Sequence, residues 1–314
     1  MKEFGMVVTG MGFVSPVGTQ KADFFSWLRT GELSTEKAAE CASIEPGSLV
    51  KHLGISDPKL KIARYMDPVS QNAIVALSGA MLDAGITDED IAADPYRYGI
   101  VLGAARGACL TRDALYGSLE SRRGKMVSGT LFSNCGHNIA GAMAAIAHGI
   151  KGLNITLAGR DDLGPSIMGR VTQFLVSNRV HTVFAGFTEC GGTTSILSET
   201  ACFLCIEEKG RAVGRGAAHM PQILLHRHAS GSKASEGRAV FGFPDRDPAM
   251  TQGREIMKLP LPGMTAPVGH YSSVLMLGLL SCGEELGDRY ASTAFAAGAG
   301  YNITVFRIVY DHAD

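Results

Sequence analysis

Residues 152–164 read GLNITLAGRDDLG, and their types predict a short strand, a tight turn and the start of a helix. Enzymes often place a nucleophile at such an elbow, because the helix dipole and the free N–H groups of the first turn favour negative charge there. The tip of this elbow carries Arg160, Asp161 and Asp162, and neither a cysteine nor a serine. The elbow is therefore typical of covalent catalysis but lacks the residue that would form the covalent bond.

The aspartates at the tip have two interpretations, and both agree with the sequence. Asp161 or Asp162 can be an N-cap, since an aspartate side chain that accepts a free N–H group of the first turn stabilises a helix by about 1 kcal/mol. The alternative is functional. A carboxylate at this position would imitate an acyl or malonyl group, or would polarise a bound thioester.

Other cysteines and histidines are weaker candidates for chemistry. Cys135 and His137 lie two residues apart, but nothing places a third group to orient the histidine, so the pattern favours an ordinary loop. Cys202 and Cys205 form a C-x-x-C inside an apolar strand, and no second Cys/His pair lies close in sequence to complete a zinc site. The glycine-rich turns match neither G-x-G-x-x-G nor a P-loop. The sequence therefore predicts no metal and no cofactor.

The composition excludes several classes of function. The 314 residues are 46% hydrophobic and 19% charged, with a net charge of −1, which indicates a folded core and no electrostatic footprint for nucleic acid or an anionic membrane. The chain has seven cysteines, an odd number with irregular spacing, as expected of reduced thiols. With no signal peptide and no apolar run of about 20 residues, the sequence predicts a cytoplasmic protein that does not span a membrane.

Alternating strands and helices must position the elbow. Residues 66–86 form a strongly helical pattern with Asp67 as the expected N-cap, Pro68 near the start and Gly85 at the end. A second helix, rich in small residues, is predicted over 138–149. Apolar runs predict strands in the first half at residues 6–10, 98–103, 181–187 and 201–208.

Two stretches of the first half are predicted to be irregular. Residues 11–18 form a Gly/Pro-rich loop, and residues 35–58 form a polar surface excursion. In the second half, PQILLHRH, STAFAA and YNITVFRIVY predict strands, and a helix is expected over 270–287. We expect residues 1–219 to form one half that contains the elbow, and residues 220–314 to form a shortened second half.

Several segments, in order along the chain, are similar to those of one protein family. They are VVTGMGFVSPVG (7–18), MDPVSQNAIVALSGAMLDAGI (66–86), NIAGAMAAIAHGIKGLN (138–154), VFAGFTE (183–189), SETACFLCIEE (198–208), APVGHYSSVLMLGLLS (266–281) and GAGYNITVF (298–306). The set resembles the β-ketoacyl synthase family. This resemblance implies an α/β fold of the thiolase-like, layered αβαβα type, shortened after Glu189 and between residues 230 and 262.

The departures from the family pattern carry the functional information. On the family's T-A-C-[AS]-[SA]-G elbow, Asp161 takes the position of the nucleophilic cysteine. The family's K-S-x-x-G-H segment keeps His270, but Thr265 replaces its lysine. Gly298 lies where ketosynthases have an aromatic pocket gate, and nothing matches the H-G-T-G-T segment of the first catalytic histidine. His270 is either a proton donor or a buried, hydrogen-bonded core histidine.

The resemblance implies a ketosynthase-like subunit with no catalytic residues of its own, such as the chain-length factor of a type II polyketide or fatty-acid system. Such a subunit forms a heterodimer with an active β-ketoacyl-ACP synthase, which supplies the Cys-His-His site. The substrates would be an acyl chain on acyl carrier protein and a malonyl-carrier extender. Bulky side chains would limit the acyl pocket, and candidates lie in residues 130–135 and in the early part of the 66–86 helix.

Two other functions agree with the same residues. The chain could be a residual malonyl-thioester decarboxylase or thioester hydrolase that uses His270 and an elbow aspartate, because decarboxylation needs an oxyanion hole and a proton donor but no nucleophile. It could also be a scaffold for acyl carrier protein. In that case the basic residues Arg64, Arg122, Arg123 and Lys125 would contact the acidic carrier, although the sequence favours ordinary solvated surface charge for them.

Overall fold

The structure is a computed structural model. It describes residues 5–21, 34–63, 66–159, 163–190, 199–217, 222–228, 240–241, 292–297 and 303–309. The helix expected over 270–287 lies outside these residues.

The described strands form one mixed sheet. They are β1 (Met6–Val14), β2 (Tyr98–Gly103), β3 (Asn154–Leu157), β4 (Thr182–Glu189), β5 (Thr200–Glu208), β6 (Gln222–His228), β7 (Val240–Phe241), β8 (Ser292–Ala297) and β9 (Ile303–Val309). Their order across the sheet is β3-β2-β4-β5-β1-β6-β9-β8-β7. Strands β3, β2 and β4 run parallel, whereas β5 is antiparallel to both β4 and β1.

Helices connect the strands. Those within the described residues are α1 (Thr35–Ser43), α2 (Leu49–His52), α3 (Leu60–Ala63), α4 (Pro68–Ala84), α5 (Asp88–Ala93), α6 (Cys109–Ser121), α7 (Gly129–Asn134), α8 (Ile139–His148), α9 (Leu163–Val176) and α10 (Lys209–Gly214). In the part of the chain that the structure describes, none of them is long and apolar enough to cross a lipid bilayer.

The central helix α4 confirms the prediction made for residues 66–86. Asp67 is its N-cap, accepting the N–H group of Val69 at 3.1 Å, and Gly85 ends it in the left-handed conformation at φ 65°. Glycine favours this φ because it has no Cβ to clash with the preceding turn. The predicted strands β2, β4 and β5, the helix α8 and the strands of the second half are also present.

Strand β1 is longer than the sequence predicted. Residues 11–14, expected in a loop, continue the strand and pair with β5, so that Met11 lies opposite Leu204. The carboxylate of Asp83 on α4 accepts the N–H group of Met11 at 2.8 Å. The glycines that suggested a loop have a packing role instead.

Glycines in β1 allow the strand to lie directly on α4. A Cβ atom at Gly10 would lie 2.5 Å from the carbonyl oxygen of Ala80, and one at Gly12 would collide with backbone atoms of Ala76 and Ala80. Small residues on both elements therefore permit a backbone-to-backbone approach. This contact builds the buried core between the sheet and α4.

The irregular excursion predicted for residues 35–58 is wrong in part, because it contains α1 and α2. Ser34 caps α1 by accepting the N–H group of Lys37 at 3.1 Å. The stretch before α2 is held by Glu199, which accepts the N–H group of Gly47 at 2.7 Å. The polar composition suggested a loop because the contact that orders this segment comes from a residue about 150 positions away.

Strand β6 joins the two predicted halves of the chain. It pairs with β1 at Met6 and Val7 and, on its other side, with β9 along its whole length. The division into a half of residues 1–219 and a half of residues 220–314 stays a prediction.

Candidate functional site

The carboxyl ends of three parallel strands meet at one edge of the sheet. These ends are Leu157 in β3, Gly103 in β2 and Glu189 in β4. In open α/β sheets, ligand sites lie outside the carboxyl ends of the strands. The elbow follows β3 directly, so it emerges at this edge. Its tip, with Asp161, lies outside the described residues.

The strand and the helix that flank the elbow are both attached to β2. Ala104, which follows β2, donates its N–H group to the carbonyl oxygen of Leu157 at 3.0 Å. On the other flank, a Cβ atom at Gly103 would lie 2.8 Å from Cδ1 of Ile167 in α9. Asn154 at the start of β3 donates to the carbonyl oxygen of Gly141 in α8 at 3.0 Å. The framework around the elbow is therefore well packed.

A loop of residues 104–107 lies between the elbow strand and β4. Glu189 accepts the N–H groups of Ala105 and Arg106, the latter at 3.0 Å from Oε1 and 3.2 Å from Oε2. Gly107 has a φ of 59°, and a Cβ atom there would lie 2.9 Å from the Cα atom of His137. The loop is therefore fixed at both ends.

Glu189 is an unusual acid. It is 2% exposed, and burial raises its pKa to about 7, although the two backbone hydrogen bonds and the nearby charge of Arg106 act in the opposite direction. A carboxyl group with such a pKa at the carboxyl edge of a parallel sheet is a candidate functional residue. Its sequence context, the end of an apolar strand, does not single it out.

Two further buried carboxylates lie on the same side of the fold. Asp67 accepts the N–H group of Thr111 at 2.8 Å as well as its cap hydrogen bond. Glu199 accepts the N–H group of Leu49 at 3.2 Å and the side-chain amide of Asn72 at 3.2 Å. Burial raises the pKa of Glu199. These carboxylates each connect separate segments of the chain.

The cysteines of the described residues have the properties of core residues. Cys109 donates to the carbonyl oxygen of Cys190 at 2.9 Å, and burial raises the pKa of both thiols. Burial also raises the pKa of Cys202 to about 12 and that of Cys205 well above its usual value. Thiols are nucleophiles only as thiolates, so these four are inert.

The pairs that the sequence offered for metal or nucleophilic chemistry are not assembled into sites. Cys135 donates to the carbonyl oxygen of Phe132 at 3.2 Å, as expected of a residue in an ordinary loop. Within the described residues, no group of three or more His, Cys, Asp or Glu side chains is arranged to hold a metal ion, and this includes Cys202 and Cys205.

The degenerate positions named from the sequence, Asp161, Thr265, His270 and Gly298, lie outside the described residues, as does Arg64. Their assigned roles stay predictions. The structure adds Glu189 and Glu199, which sequence analysis missed because an acidic residue next to an apolar strand usually lies at the surface.

A partly apolar surface lies on α6, on α7 and on the connection between them. We define the α6–α7 surface by its exposed large side chains, which are Tyr116, Met126, Val127 and Phe132. The exposed basic residues Arg122, Arg123 and Lys125 lie in the connection between the two helices. The pocket candidates of residues 130–135 fall on the same surface.

Comparison with known proteins identifies the family. A model of the β-ketoacyl synthase N-terminal domain matches residues 54–213, slightly more than half of the chain. The chain belongs to the β-ketoacyl synthase family. The family resemblance noted in the sequence is thereby confirmed.

The similar proteins of known name are synthases. The chain is 23% identical over 296 residues to 3-oxoacyl-[acyl-carrier-protein] synthase 1 of Haemophilus influenzae, a match that covers 84% of this chain and 71% of that protein. It is 25% identical over 264 residues to 3-oxoacyl-[acyl-carrier-protein] synthase 2 of Coxiella burnetii, covering 77% of this chain and 63% of that protein. This β-ketoacyl synthase family member thus spans about two thirds of the length of these relatives.

Solved structures confirm the thiolase-like fold. One is the AntDE:AntF complex, a type II PKS acyl-carrier protein with its ketosynthase bound to the hexaketide, with a TM-score of 0.73, 15% identity and coverage of 98% of this chain and 99% of that one. Another is the ishigamide ketosynthase/chain length factor, with a TM-score of 0.66, 17% identity and coverage of 97% and 99%. At these identities the likeness establishes the fold alone.

Proposed function

We propose that this chain is a non-catalytic ketosynthase-like subunit, a chain-length factor, that pairs with an active β-ketoacyl-ACP synthase and shapes the acyl pocket. One observation supports the proposal: a packed ketosynthase framework flanks an elbow whose sequence contains neither cysteine nor serine, and on the family pattern Asp161 takes the position of the nucleophilic cysteine. A carboxylate accepts hydrogen bonds but does not form the acyl thioester with which condensation begins.

The framework supports a role beside a catalytic partner. The elbow strand β3 is hydrogen-bonded to β2, and the elbow helix α9 packs on Gly103. By the resemblance, the elbow strands of two ketosynthase subunits pair across a two-fold axis, and β3 stands at the end of the strand order, with β2 as its neighbour in the sheet.

The α6–α7 surface supports a protein partner. Phe132 is 67% exposed and Met126 is 79% exposed, which leaves aromatic and sulfur-containing side chains of the kind that anchor interfaces in contact with water. We infer that a ketosynthase subunit covers this surface, with α7 reaching towards its acyl pocket. Among solved structures of the same fold, one is a ketosynthase/chain length factor pair.

The substrate of the complex would be an acyl chain on acyl carrier protein. The neighbouring AntDE:AntF structure contains a ketosynthase with such a carrier. In this chain the basic residues Arg122, Arg123 and Lys125 adjoin the α6–α7 surface and would complement an acidic carrier. Carrier binding therefore belongs to the proposed complex and does not need a separate scaffold function.

Acyl loading tests this function. The purified chain is incubated with an acyl-carrier thioester, alone and with a cysteine-bearing ketosynthase from the same organism, and the intact masses of both proteins are measured. We expect the acyl group on the ketosynthase only, and condensation with malonyl-carrier only in the mixture. Acylation of this chain, or condensation by it alone, would contradict the proposal. Release of CO2 from malonyl-carrier by the chain alone, abolished in His270→Ala, would establish the decarboxylase instead.

A further inference from the structure

Glu189 connects β4 to the loop that adjoins the elbow strand. It is the last residue of β4, and its carboxylate receives two consecutive N–H groups, those of Ala105 and Arg106. Consecutive backbone N–H groups that converge on one anion form a concave anion site. In this chain a side chain of the protein itself occupies that site.

The same loop has a second attachment on the side of the elbow. Ala104 donates to Leu157, the last residue of β3, and the elbow begins a few residues later. The guanidinium group of Arg112 in α6 also donates to the carbonyl oxygen of Arg106 at 3.2 Å. A shift of residues 105–106 away from Glu189 would therefore be transmitted to the strand that carries the elbow.

The strength of this attachment depends on the proton of Glu189. Hydrogen bonds to an ionised carboxylate are roughly twice as strong as those to a neutral group. Because one oxygen, Oε1, already accepts both N–H groups, the protonated acid keeps the geometry but holds it less strongly. Burial raises the pKa of Glu189 to about 7, so both forms are populated near neutral pH.

The groups that face Glu189 come from three other segments. Arg106 in the loop favours the ionised form through its charge, whereas Asp67 at the start of α4 opposes it. Cys109 at the start of α6 interacts with Glu189, and burial raises the pKa of that thiol, which keeps it neutral over the same range. Among these groups, Glu189 is the one whose pKa burial raises to about 7.

We propose that Glu189 is a positioning residue, whose carboxylate clamps residues 105–106 beside the elbow strand and tightens that clamp when it loses its proton. This clamp consists of the hydrogen bonds from the N–H groups of Ala105 and Arg106 to Glu189, which are present in the structure. Its consequence, that a change of pH alters the elbow that this chain presents to a partner subunit, rests on the proposed function.

The clamp can be tested by following the amide protons of Ala105 and Arg106. The chain, in whichever assembly it purifies, is labelled with 15N and titrated from about pH 5 to about pH 9. We expect both amide protons to move downfield with one shared midpoint close to 7, because ionisation strengthens the hydrogen bonds that they donate. If neither amide titrates in the unmodified chain, the proposal is wrong, whatever the variants do.

Two variants assign the titrating group. Glu189→Gln keeps an oxygen that can accept both N–H groups but has no proton to lose, so we expect the titration of both amides to disappear. His137→Asn is the matched control, because histidines generally change charge near neutral pH and His137 packs on Gly107. Titration that persists in Glu189→Gln and disappears in His137→Asn would overturn the proposal. Failure of the chain to pair with a ketosynthase leaves this result unaffected, so the two tests fail separately.

Discussion

At the scale of single residues, three buried carboxylates accept backbone N–H groups from distant parts of the chain. Asp67, Glu189 and Glu199 are each at most 3% exposed, and each holds a loop or a helix start in place. A buried carboxylate is tolerated when its oxygens accept such hydrogen bonds. The protonation of Glu189 and of the buried His148 therefore affects the stability of the fold.

The first prediction at this scale concerns Glu189. Its pKa in the folded chain is raised to about 7 from 4.5, so between these values the folded chain keeps a proton that the unfolded chain has released. Stability from this group is therefore lost as the pH rises from about 4.5 to about 7. Glu189→Gln removes this loss, and we expect its free energy of unfolding relative to the unmodified chain to rise over that interval by roughly 3 kcal/mol at most.

Urea unfolding at a series of pH values measures this difference. Glu208→Gln, at the end of β5 and only partly buried, serves as the matched control. A difference for Glu189→Gln that stays constant with pH would show that Glu189 is ionised throughout.

The second prediction concerns His148. Its pKa shift has the opposite sign to that of Glu189, so its contribution to stability depends on pH in the opposite direction. Its pKa is lowered from 6.5 to about 4, first by burial and then by the charge of Lys59. Between these values the unfolded chain takes up a proton that the folded chain excludes, so stability is lost as the pH falls from about 6.5 to about 4. We expect His148→Asn to gain stability relative to the unmodified chain as the pH falls, by roughly 3 kcal/mol at most.

The same unfolding series tests this second change. His52→Asn is the matched control, since His52 lies near the surface beside Glu40. A His148→Asn variant whose relative stability does not change between pH 6.5 and 4 would refute the assignment of a neutral buried ring.

Single residues were predicted from the sequence only where a local rule applied. Asp67 was identified as an N-cap because its position before Pro68 is defined by the helix that it starts. The burial of Glu189 could not be predicted, because its hydrogen-bond donors are more than 80 positions away. The roles assigned to Asp161 and His270 rest on the family pattern and stay predictions.

At the scale of elements, the contact between β1 and α4 depends on glycine. A Cβ atom at Gly12 would collide with the backbone of α4, and backbone cannot move aside as a flexible side chain can. We expect Gly12→Ala to destabilise the chain by about 3 kcal/mol, through overpacking. Urea unfolding measures the change.

The matched control is Gly117→Ala within α6. A Cβ atom at this helical glycine would meet nothing within 4 Å. Alanine favours helix interiors over glycine, so we expect a gain of about 0.5–1 kcal/mol. If both variants lose stability equally, or if Gly12→Ala is neutral, the close approach of β1 to α4 is incorrect.

Elements with a strong hydrophobic period were predictable, and elements fixed by distant contacts were not. The apolar runs of β2, β4 and β5 and the long period of α4 predicted their types correctly. Helix α6 was missed because CLTRDALYGSLES mixes polar residues and a glycine, and its first turn is tied to Asp67. The Gly/Pro content of residues 11–18 indicated a loop, whereas the glycines serve the contact with α4.

At the scale of the whole molecule, the exposed α6–α7 surface must meet another protein if the proposed function is correct. Phe132→Ser removes an exposed aromatic anchor without touching the core. We expect it to raise the Kd for a ketosynthase partner by about tenfold or more, as truncation of an interface anchor does, and to leave the unfolding free energy nearly unchanged. Titration calorimetry or surface plasmon resonance measures the affinity.

Leu82→Ser on α4 is the control for this prediction. Leu82 is 83% exposed, more than Phe132, so the two variants remove similar apolar exposure from different elements. We expect Leu82→Ser to leave the affinity unchanged. An equal loss in both variants would show a general effect on the fold, and no loss in Phe132→Ser would exclude the α6–α7 surface from the interface.

The most direct test of the central claim is the composition of the assembly. The chain is co-expressed with a cysteine-bearing ketosynthase from the same organism, purified through a tag on this chain, and its native mass is measured. The account predicts a complex of one copy of each chain, or a multiple of that pair. A stable homodimer of this chain that never contains the ketosynthase would contradict it.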